Sequence, residues 1–158
     1  MAKDHNAIGW PLSKNLLIAI LHDQVTDRFV AELIWERLGY KRSESSSESW
    51  IAGANTPANW SQSFPKAPEV IAERQASVKL TRSIPKEYKQ LLKKKLNFPG
   101  YRISELYPRR TRRATAVNWL LAWLEEHHED LPDSAPLPQF STPPQDPKNG
   151  HFGDPPIC

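Results

Sequence analysis

Four arginines, Arg109, Arg110, Arg112 and Arg113, are crowded into the run PRRTRRATAVNWLLAW directly after Pro108. Proline suits the first turn of a helix, where its missing N–H is no loss, so these guanidinium groups fall on the opening two turns. That end of a helix is already positive, because its first N–H groups are unpaired and the peptide dipoles add up there. Each cation in that position costs about 0.3 kcal/mol, and four together call for a compensating anion. Free N–H groups and guanidinium forks gathered at one helix start suit a phosphate or a carboxylate. The anion has two possible sources. One is an external partner. The other is the chain's own acids, with Glu32, Glu36, Glu125, Glu126, Glu129 and Asp130 as candidates and the arginine stems packed against tryptophan.

Further cations extend the same stretch. Lys86, Lys89, Lys93, Lys94 and Lys95 line the polar side of KEYKQLLKKKL, and Lys79, Arg82 and Arg102 lie close by in sequence. Residues 76–113 carry twelve Lys and Arg residues against two carboxylates, Glu87 and Glu105, while the whole chain has a formal net charge of only +3. A strongly basic middle therefore sits between acidic flanks, which points to an anionic partner. Tyr101 and Tyr107 are placed to stack on bases if that partner is a nucleic acid. No zinc-ligand spacing, RNP-type strand or GXXG loop accompanies them, and the link between the two basic helices is too long for a helix-turn-helix. The lysine face can equally be a solvated one.

Catalytic signatures are missing from the sequence. His127 and His128 are adjacent, so on a helix they project about 100° apart, poorly placed to share a metal. His22 and Asp23 fall where one helix gives way to the next and suit capping. The serines include no G-x-S-x-G elbow, and the six glycines are scattered singly rather than in a phosphate loop. The expectation is a protein that is not an enzyme, with no cofactor and no metal.

The elements that must position these residues read as helices. SKNLLIAILH puts Leu16, Leu17, Ile20 and Leu21 on one stripe behind a Ser13 cap. Asp23 or Thr26 starts a second helix running to about Leu38, with Val30, Leu33 and Ile34 inward and Gly39 as a left-handed stop. Lys41 to Ala67 has turn formers and no sustained period, and reads as a long loop pinned to the core by Trp50, Ile51, Trp60 and Phe64. Residues 68–74 lean to helix, and 76–82 admit either strand or helix. An amphipathic helix covers 86–96, with Tyr88, Leu91, Leu92 and Leu96 on its apolar side. Pro108 opens a last helix to about Glu126, with Ala114, Val117, Leu120, Leu121 and Leu124 inward and Trp119 and Trp123 as an aromatic stripe. Eight of the last 28 residues are proline, which predicts a disordered tail.

The bulk figures agree with one domain and tails. The 158 residues are 39 % apolar, below the roughly 45–50 % of ordinary globular chains. No apolar run approaches the ~18–20 residues of a membrane span, and Met1 to Leu12 lacks the pattern of a secretory signal. The single cysteine, Cys158, leaves no internal disulfide, which favours a reducing, cytoplasmic setting.

SVKLTRSIPKEYKQLLKKKLNFPGYRISEL and PRRTRRATAVNWLLAWL, together with ILHDQVTDRFVAELIWERLGY and the loop from Trp60 to Pro68, resemble a small cyanobacterial protein family with plastid relatives, a domain of unknown function (series 1823). The resemblance covers roughly residues 13–126. It implies the cytoplasm of an oxygenic phototroph and carries no functional residue over. The expected architecture is one mainly α domain over residues 10–128, a small β element at most near 76–104, a flexible N-terminus over 1–9 and a disordered Pro-rich tail over 129–158. The expected role is a non-enzymatic adaptor or assembly protein. It would dock an acidic protein surface through Arg109, Arg110, Arg112, Arg113, Lys89, Lys93, Lys94 and Arg102, with nucleic acid on the same patch as the alternative.

Overall fold

A computed structural model describes residues 9–158; the expectation of a flexible N-terminus falls on residues 1–8, outside the described ones, and on Gly9. Helix α1 (Lys14–Leu21) starts where the Ser13 hydroxyl accepts a hydrogen bond from the Leu16 N–H, and α2 (Asp27–Arg37) starts where Thr26 does the same for Phe29. Thr26, not Asp23, is thus the cap of α2, which leaves the Asp23 carboxylate free for another task. Gly39 has φ +85°, the left-handed stop that the sequence predicts. The buried stripes match the periodicity: Leu16, Leu17, Ile20 and Leu21 from α1, and Val30, Leu33, Ile34 and Leu38 from the second helix and its cap.

The segment read as a long loop has more order than its composition suggests. β1 (Lys41–Ser43) and β2 (Ser46–Ile51) form an antiparallel hairpin, with Arg42 opposite Trp50 and an irregularity after Arg42. Pairing continues through Ala67 N–H to Trp50 C=O and Ala52 N–H to Pro65 C=O. Serine-rich strands have little intrinsic β preference. This hairpin is held by its one large ring, Trp50, which packs 5.5 Å from Trp35. Trp60, on the short α3 (Ala58–Ser61), and Phe64 pin the rest, as the spacing of the aromatics implies. The β element therefore lies at 41–51 and not near 76–104.

Residues 68–73 are not the helix expected over 68–74 but hold a turn at residues 70–72, and α4 (Arg74–Ser83) occupies the ambiguous stretch, with Ala76, Ser77 and Leu80 buried. The predicted helix over 86–96 is broken into a 3₁₀ turn, Lys86–Tyr88, and α5 (Leu91–Leu96). Asn118 explains the break. Its side chain accepts from Leu92 N–H and donates to Tyr88 C=O, bridging the two pieces. The link beyond has a 3₁₀ turn at Ile103–Glu105, and α6 (Pro108–Glu126) runs through the centre, packed by α1, α2, α4 and α5. From Ala116 to Leu124 every residue of α6 is buried, the mark of a central helix. The molecule is mainly α with one two-stranded sheet.

The C-terminal segment has no helix or strand, in keeping with its prolines, but it is not a free tail. Lys14 and Asn15 N–H groups donate to Pro132 and Asp133 C=O, and Ser141 N–H donates to Gln24 C=O. Trp10 Nε1 donates to Pro136 C=O. The Asp154 carboxylate accepts from the N–H groups of Asp27 and Arg28, the first turn of α2. Finally, Cys158 N–H reaches Ala72 C=O. The disorder read from composition is corrected to an extended strap, ordered by contacts that the domain supplies.

Candidate functional site

The four arginines part company on α6. Arg109 and Arg113 are 0 % and 1 % exposed. They continue the inward stripe of Ala116, Val117 and Leu120 by one and two turns. Arg109 grips Asp23 with two parallel bonds of 2.7 and 2.8 Å and reaches Asp27 through Nε at 2.9 Å. Its remaining donors meet Pro147 C=O and the His151 ring. Arg113 pairs with the other Asp27 oxygen at 2.6 Å and donates to the carbonyls of Ile20 and Val25. The two carboxylates and two guanidinium groups form a closed network in which nearly every donor is used. A buried charge is tolerable only under such satisfaction. Burial alone would raise the Asp23 pKa, but the hydrogen bond from Arg109 and the charges of Arg113, Arg109 and His151 outweigh it and hold the carboxyl below its ordinary value of 3.8.

Arg109 and Arg113 are therefore corrected from partner-binding to internal ion pairing. The acids responsible are Asp23 and Asp27, neither of which was among the intramolecular candidates. For the arginines a signal was present in the sequence: Arg109 and Arg113 are four residues apart, the spacing that aligns two side chains on one helix face. Asp23, in contrast, lies in the turn before α2 with φ +62° and is brought beside Asp27 by the fold. The other two arginines are also largely engaged at home. Arg110 pairs with Glu105 at 3.2 Å and lies 5.0 and 5.4 Å from the rings of Tyr101 and Tyr107. Arg112 donates to the carbonyls of Ile71 and Ala72. Tyr101 is itself tied down, its hydroxyl donating to Leu21 C=O.

The remaining predicted residues, Lys89, Lys93, Lys94 and Arg102, are exposed. Their position follows from α6, because Asn118 sets the start of α5 and Trp119 donates to Ser83 Oγ at the end of α4. Lys89 Nζ also donates to Thr81 C=O, which joins the two helices. Lys95 pairs with Glu125, whereas Lys93 and Lys94 have no such partner among the described residues. Lys89 and Lys93 flank a groove of about 280 Å³ that also takes in Phe98, Tyr101 and Leu106 and has no carboxylate in its lining. Leu106 is 53 % exposed, and Ile103, on the same link, is 89 % exposed. The apolar members Phe98 and Leu106 were missed, since an irregular link shows no period. The arrangement offers cations beside apolar surface, a setting for an acidic segment that also bears an apolar side chain.

His127 stacks on Trp123 at 4.0 Å and its Nδ1 lies against the Trp123 carbonyl, so it closes α6. Among the described residues no group of His, Cys, Asp and Glu side chains is arranged to hold a metal, and no helix is long and apolar enough to cross a membrane.

A fold built on one buried helix, with its ion pairs inside and its lysines outside, defines a small mainly α domain. The model of the family described as "Domain of unknown function (DUF1823)" matches residues 11–125, and the chain belongs to that family. A structure solved by solution NMR is 46 % identical, with a TM-score of 0.64; the match covers 77 % of this chain and 99 % of that one. No curated protein matches the chain.

Proposed function

We propose that the domain is a non-enzymatic adaptor, of the kind used in assembly, that docks an acidic protein segment on the α5 surface. The observation that carries this reading is the groove between Lys89, Lys93, Phe98, Tyr101 and Leu106, where cations and apolar atoms meet without a carboxylate in the lining. Lys94 and Arg102 extend the positive field on either side in sequence. Electrostatics of this kind steers and orients a partner, and the apolar floor supplies the holding contact. The cytoplasm of an oxygenic phototroph is the setting we propose, on the strength of the family resemblance.

The test is fluorescence anisotropy with a labelled acidic peptide carrying one leucine, against a single-stranded oligonucleotide of equal charge. The peptide should bind, and Lys93→Glu/Lys94→Glu should weaken it at least about tenfold. Preference for the oligonucleotide, with an affinity that falls steeply as salt rises, would instead make the surface a nucleic-acid binder. Equal binding by wild type and variant would remove the α5 surface from either role.

A further inference from the structure

A second concavity lies elsewhere, on α4. It holds about 520 Å³, well within the range of small-molecule sites of roughly 300–1,000 Å³. Arg74, Lys79 and Arg82 contribute three positive charges to its lining, which contains neither Asp nor Glu. Helical spacing gathers them: Arg74, Val78 and Arg82 follow one another at intervals of four, and Gln75 and Lys79 form the adjacent row.

Several other cations of the molecule are paired with acids. Arg28 has Glu32 and Glu69, Lys95 has Glu125, Arg110 has Glu105, and the buried arginines have Asp23 and Asp27. Arg74 and Arg82 have neither an ion pair nor a hydrogen bond among the described residues, and the Lys79 ammonium rests 5.3 Å from the Trp60 ring. Like charges converging on a concave surface repel one another and concentrate positive potential there. The cleft also reaches the first turn of α4, whose N-cap, Glu73, supplies no side-chain hydrogen bond. Uncapped N–H groups add to the field felt by an anion.

The rest of the lining is of another character. Phe64, half-buried and 6.0 Å from Trp60, and Val78 provide apolar wall. Asn59 and Gln75 bring side-chain amides with no hydrogen bond among the described residues. Guanidinium forks match phosphate oxygens two at a time, while an aromatic wall beside free amides suits a flat ring with polar edges.

We propose that the α4 cleft binds a small phosphate ester bearing a flat, polar-edged ring, with Arg74, Lys79 and Arg82 on the phosphate and Phe64 beside the ring. The site is separate from the α5 groove and stands or falls independently of it.

The experiment is a ¹⁵N–¹H NMR titration of the full chain with adenosine 5′-monophosphate, adenosine, and a short single-stranded oligonucleotide. The monophosphate should give saturable shifts confined to residues around 59–64 and 74–83, with adenosine at least about tenfold weaker. Arg74→Ser/Arg82→Ser should weaken the monophosphate by a similar factor while leaving the spectrum dispersed, and Lys93→Glu/Lys94→Glu should leave its affinity unchanged. Absence of saturation by about 5 mM, equal binding of adenosine, or an undiminished affinity in the double arginine variant would each overturn the proposal. So would saturation by the oligonucleotide alone.

Discussion

The first turns of α6 and the exposed side of α5 carry the same sign of charge and have opposite fates. Arg109 and Arg113 are sealed in a four-membered ion-pair network, whereas Lys93 and Lys94, one helix away, face solvent without an acidic partner among the described residues. The difference follows from the stripe each residue occupies. Arg109 and Arg113 lie on the line that continues to Ala116, Val117 and Leu120, so folding carries them inward and two aspartates must go with them. Lys93 and Lys94 are exposed on the short α5, of which only Leu91 is buried, and stay out. A run of like charges is thus not one feature. Its members separate according to the helical face on which each falls, and only those off the apolar face remain for a partner.

The comparison can be broken most forcefully from the buried side. Arg113→Ala should cost about 3–5 kcal/mol, because it leaves the Asp27 carboxylate inside the protein with one partner fewer. Urea unfolding measures this directly. A loss below about 0.5 kcal/mol, the scale of ordinary surface changes, would erase the distinction between the two regions. A smaller effect comes from the strap. Asp154→Ala removes the carboxylate that accepts from the first two N–H groups of α2, and should cost about 1 kcal/mol in the same assay. An unchanged midpoint would mean that the strap does not stay on the domain in solution.

Much of the scaffold was legible in the sequence. Ser13, Thr26, Gly39 and Pro108 mark helix ends by chemistry that acts within a few residues, and the apolar stripes of α1, α2 and α6 show in their periods. What failed depends on distant partners. The hairpin at 41–51 is held by Trp50 against Trp35, a contact that its serines do not announce. The strap is ordered by N–H groups of α1 and α2 more than a hundred residues away, which composition alone cannot reveal. Of the predicted site, the lysines sit at the surface, while Arg109 and Arg113 were misread because they were judged by the end of the helix they occupy rather than by its face. The cleft on α4 was invisible for a related reason: whether 76–82 was strand or helix decided whether Arg74, Lys79 and Arg82 could converge.

The central claim is that the opening of α6 is neutralised inside the fold, and the carboxyl of Asp23 reports on it. Its pKa can be followed by ¹³C NMR through an acid titration. The ion pairs hold that value below the ordinary 3.8 of the unfolded chain, against the opposing effect of burial. A carboxyl with a depressed folded pKa contributes its stability above the unfolded value and loses it as the pH falls through the folded one. The network should therefore stay intact at pH 5 and give way only under stronger acid, with Asp23→Asn removing that part of the acid sensitivity. A carboxyl that titrates at or above its ordinary value would contradict the account, since Arg109 and Arg113 would then be seeking their anion elsewhere.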